Sequence, residues 1–203
     1  MKMNKVESTG ESRGAGIGNR EPVFTTKGIV MIGVFAAVTA VLAQVSIPTP
    51  WGIPITLQTF AVALAGYCLG KYKGMMSVLI YILLGLTGLP VFAGFTGGIA
   101  KLAGATGGYI WGFLFMAFAC GLEDTVKHKW ISIFLGLLGL AVCHLLGAAQ
   151  FAFLSQRTLA EAFLLASAPY LLKDVVSVAV AYGLAIPLRK AMRSVGGAAG
   201  KTI

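Results

Sequence analysis

Asp174 is the ionisable side chain in this sequence that is most able to do chemistry. It stands fifteen residues before Arg189, so a helix that meets the inner membrane surface near Arg189 carries Asp174 about 22 Å into the bilayer. An acidic group at that depth is costly and is by default functional. The alternatives are a pair with Arg157 or a capping role near the surface. The adjacent Lys173 projects about 100° away around the helix, so a direct ion pair between the two is not favoured.

Two further polar side chains lie inside or beside apolar segments. Gln58 ends the run Pro54-Ile-Thr-Leu-Gln58, where its amide can donate to and accept from a polar ligand or can cap the start of a helix. His144 lies in the middle of an apolar segment, with Gln150 as its nearby polar neighbour. We interpret His144 as a hydrogen-bonded packing residue rather than a catalytic one. The zinc-hydrolase pattern His-Glu-x-x-His does not occur.

The sequence carries no complete nucleotide-binding motif. The glycine-rich stretch that ends at Lys201 and Thr202 imitates a phosphate-binding loop, but Val195 stands where that loop requires its first glycine. We therefore expect neither an ATPase nor an enzyme here. We also expect no cofactor and no metal, because the cysteines lack metal-ligand spacing and behave as small hydrophobes in apolar segments. These cysteines are Cys68, Cys120 and Cys143.

Membrane helices must position these side chains, because the composition is that of an integral membrane protein. The chain is 57% hydrophobic and 11% charged, against about 25% charged residues in a soluble domain. Lys and Arg exceed Asp and Glu by nine (16 − 7). In a membrane protein such an excess indicates topology and anionic lipid rather than nucleic acid. The lipid bilayer is therefore a predicted partner, and nucleic acid is not.

Six apolar segments predict an all-α integral membrane protein with six transmembrane helices. Residues 28–193 form one membrane domain, preceded by a disordered cytoplasmic leader (residues 1–27) and followed by a short flexible tail (residues 194–203). Fifteen helical residues rise about 22 Å, against roughly 30 Å of hydrocarbon, so the shorter segments extend into their flanks or form a non-uniform bundle. The segments cover residues 28–45, 55–69, 75–86, 108–122, 130–154 and 169–186.

A glycine-rich and nearly uncharged stretch joins the third segment to the fourth. It contains Gly85-Leu-Thr-Gly-Leu-Pro-Val-Phe92 and Gly104-Ala-Thr-Gly-Gly-Tyr109. Irregular backbone near a bilayer persists only where protein or a water-filled cavity satisfies its polar groups, and glycine lets the main chain approach a small molecule closely. We interpret the stretch as an external binding loop or lid. The alternative is an apolar loop packed over the helices.

The basic residues predict an orientation. With the N-terminus inside, only Lys101, Arg157 and Lys173 of the sixteen Lys and Arg residues lie outside. The positive-inside rule then places both termini in the cytoplasm and the glycine-rich loop outside the cell. The thirteen cytoplasmic residues are Lys2, Lys5, Arg13, Arg20, Lys27, Lys71, Lys73, Lys127, Lys129, Arg189, Lys190, Arg193 and Lys201.

Small residues at spacing four predict close helix contacts. The first segment carries the pairs Gly33 with Ala37 and Ala36 with Ala40, which let two helix backbones approach in lipid. Packing within the chain is the commoner outcome of such pairs, and docking on another subunit is the alternative.

Several of these motifs together resemble the BioY family. The run that ends at Gln58 is followed by the step Ala65-Gly66, by Tyr81 and by the glycine-rich stretch. In this order they look like the biotin-binding substrate (S) components of energy-coupling factor (ECF) transporters, and the resemblance covers residues 28–193. It implies a six-helix S component of the plasma membrane that binds biotin from outside with high affinity.

The resemblance also implies partners. An S component docks on an ECF transmembrane coupling subunit that is driven by two cytoplasmic ATPases. The small residues of its first helix form the usual docking surface, which here matches Ala36 and Ala40. That match favours docking over internal packing for this pair.

The family's ligand-binding positions match this sequence unevenly. Gln58, Tyr109 and Asp174 match positions around the ligand. Other family members often have Asn where this chain has Thr96, Arg where it has Ile110 and Lys where it has Ser177. Two cationic groups that would bind the biotin carboxylate are therefore missing from their usual places. Lys101 or Lys173 would replace them. The predicted substrate-binding residues are Gln58, Phe92, Thr96, Lys101, Tyr109, Lys173 and Asp174.

Two alternatives to biotin capture stay open at this point. If neither lysine reaches the ligand, an S component for another small vitamin becomes the better interpretation. A small membrane enzyme that uses His144 or Asp174 is the alternative from a different functional class.

Overall fold

The computed structural model of the chain describes residues 25–50, 53–126 and 128–199, with side chains as far as residue 194. The predictions made for residues 1–24, for Lys127 and for residues 200–203 lie outside this part. The elements, in chain order, are α1 (Thr26–Ala43), β1 (Ser46–Ile47), β2 (Ile55–Thr56), α2 (Gln58–Leu69), α3 (Lys71–Leu86), α4 (Ile99–Ala103), α5 (Gly107–Gly121), a 3₁₀ turn (Leu122–Thr125), α6 (Lys129–Ser155), α7 (Leu159–Ala166) and α8 (Ala168–Ala199).

The helices differ strongly in length, as the uneven apolar segments predict. Within the described residues, three are long and apolar enough to cross a membrane, namely Thr26–Ala43, Lys129–Ser155 and Ala168–Ser194. By contrast, α2 has 12 residues and rises about 18 Å. The protein is therefore mostly helical and carries membrane-spanning segments within a non-uniform bundle.

Two helix boundaries differ from the sequence prediction. The break after α2 is a single residue, Gly70, whose φ of 79° lies in the left-handed region that glycine adopts without strain, so α3 begins at Lys71. At the other end of the chain, α8 continues through Pro187 to Ala199, although the sequence predicted a helix end at residue 186 and a tail from residue 194. Proline removes one backbone donor, and membrane helices tolerate this loss because neighbouring groups satisfy the freed carbonyl.

The short helix α2 is the buried centre of the bundle. It packs against α1, α3, α5 and α8, and Val62, Ala63 and Ala65 have no exposed surface. Its glycine contacts are close: a Cβ on Gly66 would lie 2.7 Å from Cys120 Cβ of α5, and one on Gly74 of α3 would lie 2.7 Å from Gly66 Cα. The small residues here serve packing within the chain, because any larger side chain would separate the helices.

The bundle has two chemically different ends. At one end, Lys27 Nζ donates to the Met192 carbonyl at 3.1 Å and Arg189 pairs with Glu123 of the 3₁₀ turn at 2.5 Å, which brings together the start of α1 and the ends of α5 and α8. The opposite end carries the β1–β2 hairpin, in which Ser46 pairs with Thr56, together with α4, α7 and the glycine-rich stretch. The loops that surround the candidate site are all at this second end.

Candidate ligand-binding site

A cavity of about 620 Å³, its mouth included, opens at the end of the bundle that carries the hairpin and the glycine-rich stretch. Side chains of α2, α5, α6 and α8 form its floor and walls, and residues of both loops complete it. Six of the seven predicted substrate-binding residues line it: Gln58, Phe92, Lys101, Tyr109, Lys173 and Asp174.

Asp174 is held by two neighbours at the cavity wall. The residue is 4% exposed; its Oδ2 lies 3.2 Å from His144 Nε2, and its Oδ1 forms an ion pair with Lys173 Nζ. These partners, rather than Arg157, hold the carboxylate. The ion pair corrects the expectation that adjacent residues on a helix would not meet. The flexible four-carbon stem of the lysine lets its ammonium reach the adjacent carboxylate.

Gln58 is oriented by two hydrogen bonds at the start of α2. Its Nε2 donates to the Tyr81 hydroxyl at 2.6 Å, and its Oε1 accepts from the Thr56 hydroxyl at 3.3 Å. The Thr56 oxygen also accepts from the backbone N–H of Gln58. The Gln58 side chain itself does not cap the helix, which has no side-chain cap. Since an amide nitrogen carries two N–H groups, the second remains for a ligand carbonyl.

Aromatic rings form two sides of the cavity. Tyr109 donates its hydroxyl to the Ala166 carbonyl at 2.5 Å, next to the hydroxyl of Ser167, which fixes the ring against α7. Phe92 is fully buried and meets Tyr81 edge to face with ring centroids 5.5 Å apart. Rigid rings of this kind provide apolar area for a ligand at low cost in conformational entropy.

The two lysines of the cavity differ in how they are engaged. Lys173 Nζ donates to the Thr56 carbonyl at 2.8 Å, in addition to its ion pair with Asp174. Lys101, on the short helix α4, is half-buried at the cavity, and within residues 25–50, 53–126 and 128–194 its ammonium has neither a hydrogen bond nor an ion pair. Burial lowers the pKa of the Lys101 ammonium below the ordinary lysine value. A ligand anion would relieve that unfavourable burial.

The glycine-rich stretch approaches protein rather than the cavity. A Cβ on Gly85 would meet the Phe92 ring, and one on Gly97 would lie 2.9 Å from the Gly88 carbonyl oxygen. In the described part of the chain, Phe92 and Ala93 are the residues of the 87–98 segment that line the cavity, and none of the lining residues is a glycine. The expectation that glycines bring the main chain to the ligand is therefore corrected. They let the loop fold tightly so that Phe92 reaches inward.

Thr96 is the predicted binding residue that lies away from the cavity lining. Its hydroxyl donates to the Ala93 carbonyl at 2.9 Å, and its backbone pairs with Phe92. Its observed contacts therefore close the turn that presents Phe92.

The predicted docking residues lie against the chain's own core. Ala36 is 1% exposed and Ala40 packs on the same core cluster, so Ala36 cannot touch a second subunit in this conformation. The exposed small residues of α1 are Gly33 and Ala37, and a Cβ on Gly33 would have open space around it. The two small-residue pairs lie side by side on α1, because all four positions fall within about 100° around the helix axis. The edge of the buried face runs between them.

Sequence reasoning missed two residues of the site. His144, interpreted as a packing residue, is the hydrogen-bond partner of Asp174. Tyr170 donates to the Ile53 carbonyl at 2.6 Å and braces the hairpin over the cavity. Neither pairing leaves a signal in sequence spacing, because each joins separate elements. Among the described residues, no three His, Cys, Asp or Glu side chains are grouped as metal ligands would be.

The chain is similar to proteins of one family. Residues 15–194 match the sequence profile of the BioY family. A probable biotin transporter BioY of Pyrococcus horikoshii is 39% identical over 155 residues, which is 76% of this chain and 91% of the relative. The biotin transporter BioY of Thermotoga maritima is 38% identical over 164 residues, 80% of this chain and 95% of the relative.

A solved structure has the same fold. The crystal structure of the S-component for biotin from an ECF-type ABC transporter superposes with a TM-score of 0.72 at 28% identity, covering 80% of this chain and 90% of the other.

Proposed function

The chain belongs to the BioY family, and from this premise we propose that it captures biotin at the outer face of the cell membrane as the substrate-binding subunit of an ECF-type transporter. The observation that carries the proposal is one cavity that combines an anchored carboxylate, an oriented amide, aromatic walls and an ammonium that has no partner among the described residues. Those are the groups that a cyclic urea, a fused apolar ring and a carboxylate tail require.

Each part of biotin has a partner in this cavity. Asp174 accepts from a ureido N–H, and the second N–H of the Gln58 amide donates to the ureido carbonyl. Tyr109 and Phe92 cover the fused ring. Lys101 receives the carboxylate, because Lys173 is already engaged by Asp174 and the Thr56 carbonyl. Thr96 supports the turn beneath Phe92 instead of touching the ligand.

The membrane arrangement follows from the alternation of the helices. We propose six spans, α1, α2, α3, α5, α6 and α8, with both termini in the cytoplasm and the cavity facing outward. The support is the basic residues: at the end opposite the cavity lie Lys27, Lys71, Lys129, Lys190 and Arg193, and the positive-inside rule places that end in the cytoplasm. The glycine-rich loop and α7 are then external.

This topology predicts a labelling pattern. A cysteine at Thr96 should react with a membrane-impermeant thiol reagent in intact cells, and a cysteine at Lys71 should react only after the membrane is opened. The native cysteines are buried, so they give a low background. If the cysteine at Thr96 is protected and the cysteine at Lys71 is labelled in intact cells, the orientation is the reverse of the proposed one and the cavity faces the cytoplasm.

The partners are an ECF transmembrane coupling subunit and its two cytoplasmic ATPases. We propose that the coupling subunit contacts α1 through Gly33 and Ala37, since these small residues are exposed whereas Ala36 is buried. Close approach of two helices in lipid requires small side chains at the contact.

Bulky residues on this face should separate binding from transport. Ala37→Trp is expected to abolish biotin uptake in cells that contain the coupling subunit, while the purified variant still binds biotin, because the exposed face lies outside the cavity. Ala36→Trp is the matched control on the buried face and should lower the thermal stability instead. Normal biotin uptake by the double variant Gly33→Trp with Ala37→Trp would show that the coupling subunit does not dock on this face of α1.

Recovery of the bound compound separates capture from the alternatives. The purified chain should retain biotin and release it unchanged after denaturation. Conversion of the ligand would indicate a membrane enzyme acting through His144 or Asp174. Retention of a different vitamin in preference to biotin would indicate an S component of another specificity.

A further inference from the structure

His144 carries a buried nitrogen that the described residues leave without a partner. The residue is 3% exposed and lines the cavity, and within the described part of the chain Nδ1 has no hydrogen-bond partner. Buried polar atoms are nearly always paired with protein, water or ligand. An orphaned ring nitrogen on a residue that lines a cavity therefore points to a partner that the cavity supplies.

The neighbours of His144 determine which nitrogen carries the proton. Its Nε2 lies 3.2 Å from Asp174 Oδ2, and a carboxylate only accepts hydrogen bonds, so Nε2 is the N–H. Lys173 already neutralises Asp174. A second proton on the imidazole would add an uncompensated charge beside the Tyr109 ring, which stands edge to face at 5.7 Å. Nδ1 is therefore an unprotonated acceptor.

An acceptor at this position needs a ligand N–H. We propose that Nδ1 of His144 accepts one ureido N–H of biotin while its Nε2–H holds the Asp174 carboxylate that accepts the other. This inference rests on the proposed function and adds to it a binding residue. The two acceptors belong to one hydrogen-bonded pair, so a ligand with two N–H groups on one rigid ring is favoured over a ligand with one.

The test compares one protein substitution with one ligand substitution. His144→Gln keeps an amide N–H near the Nε2 position but has no acceptor in place of Nδ1, so biotin affinity should fall about three- to tenfold. Two biotin analogues, each methylated at one ureido nitrogen, complete the cycle. The wild type and His144→Gln should bind one of these analogues with equal affinity, because that analogue lacks the N–H that would donate to Nδ1. Leu145→Ala, an exposed neighbour on α6, is the control and should leave biotin affinity unchanged.

A spectroscopic readout tests the contact without comparing affinities. The chain has two histidines, and His128 is exposed at the far end of the bundle. In protein labelled with ¹⁵N-histidine, saturating biotin should shift the resonance of one unprotonated ring nitrogen toward that of a hydrogen-bonded acceptor, and His144→Gln should remove this signal. A merely structural histidine would not respond to the ligand.

The outcomes separate this inference from the function on which it rests. Failure of the wild type to bind biotin would overturn the proposed function. Normal biotin binding with wild-type affinity in His144→Gln, or an Nδ1 resonance that biotin leaves unmoved, would overturn the role of His144 alone. A protonated Nδ1 in the free protein would overturn it as well.

Discussion

Replacing Asp174 with asparagine is expected to weaken biotin binding about ten- to a hundredfold, which corresponds to roughly 1.5–3 kcal/mol for a hydrogen bond to a charged group. The substitution keeps the shape of the side chain and removes its charge. The buried carboxylate organises the wall of the cavity, because it contacts both His144 and Lys173. An amide would lose the ion pair and would present a donor where the ligand needs an acceptor.

Asp124→Asn is the matched control for this substitution. Asp124 lies at the opposite end of the bundle, where its side chain is 56% exposed, and it undergoes the same change from carboxylate to amide. Titration calorimetry on both purified variants should show the loss of affinity for Asp174→Asn alone. Wild-type affinity in Asp174→Asn would mean that the ligand does not use this carboxylate.

The second large effect concerns the ligand carboxylate. Lys101→Ala should weaken biotin about ten- to a hundredfold and hardly change the binding of biotin amide, since only the acid gains a charge-assisted hydrogen bond. Lys173→Ala should weaken the acid and the amide alike, because Lys173 supports Asp174 and the Thr56 carbonyl. The same calorimetric titration, repeated with each ligand, separates the two lysines.

The pH dependence of binding provides an independent check on Lys101. Burial lowers the pKa of this ammonium below about 10.4, the ordinary lysine value. Biotin affinity should therefore fall as the pH rises through that lowered pKa, because the neutral amine no longer attracts the carboxylate. The Lys101→Ala variant and biotin amide should both lack this alkaline decline. If Lys101→Ala and Lys173→Ala discriminate between biotin and biotin amide to the same extent, the biotin carboxylate does not bind Lys101.

Several residues that line the cavity could be named from the sequence because they carried a local signal. Asp174 is an acidic residue deep in an apolar segment, and the sequence around Gln58 and Tyr109 resembles the motifs of a known family. What spacing could not provide is the pairing across helices. The partner of Asp174 lies on α6, and the choice between Lys101 and Lys173 depends on contacts with the hairpin that become visible only when the chain is folded.

The helical, membrane-spanning class of the fold was predictable, whereas the faces and ends of the helices were not. Apolar length identifies a membrane segment, but α1 is apolar on all sides. The burial of Ala36 and the exposure of Ala37 are therefore set by the neighbouring α2 and α3. Likewise, Pro187 would predict a helix end in a soluble protein, but here α8 continues through it. The glycines of the loop were expected to approach a ligand, and the groups that they approach are the protein's own backbone and the Phe92 ring.

The most direct measurement of biotin capture is a calorimetric titration of the purified full-length chain with biotin at neutral pH. The proposed function predicts saturable binding of one biotin per chain with a dissociation constant of about 1 µM or lower. The bound biotin should be released unchanged, and no other vitamin at equal concentration should displace it. Absence of saturable binding, or tighter binding of a vitamin that lacks a cyclic urea, would contradict it.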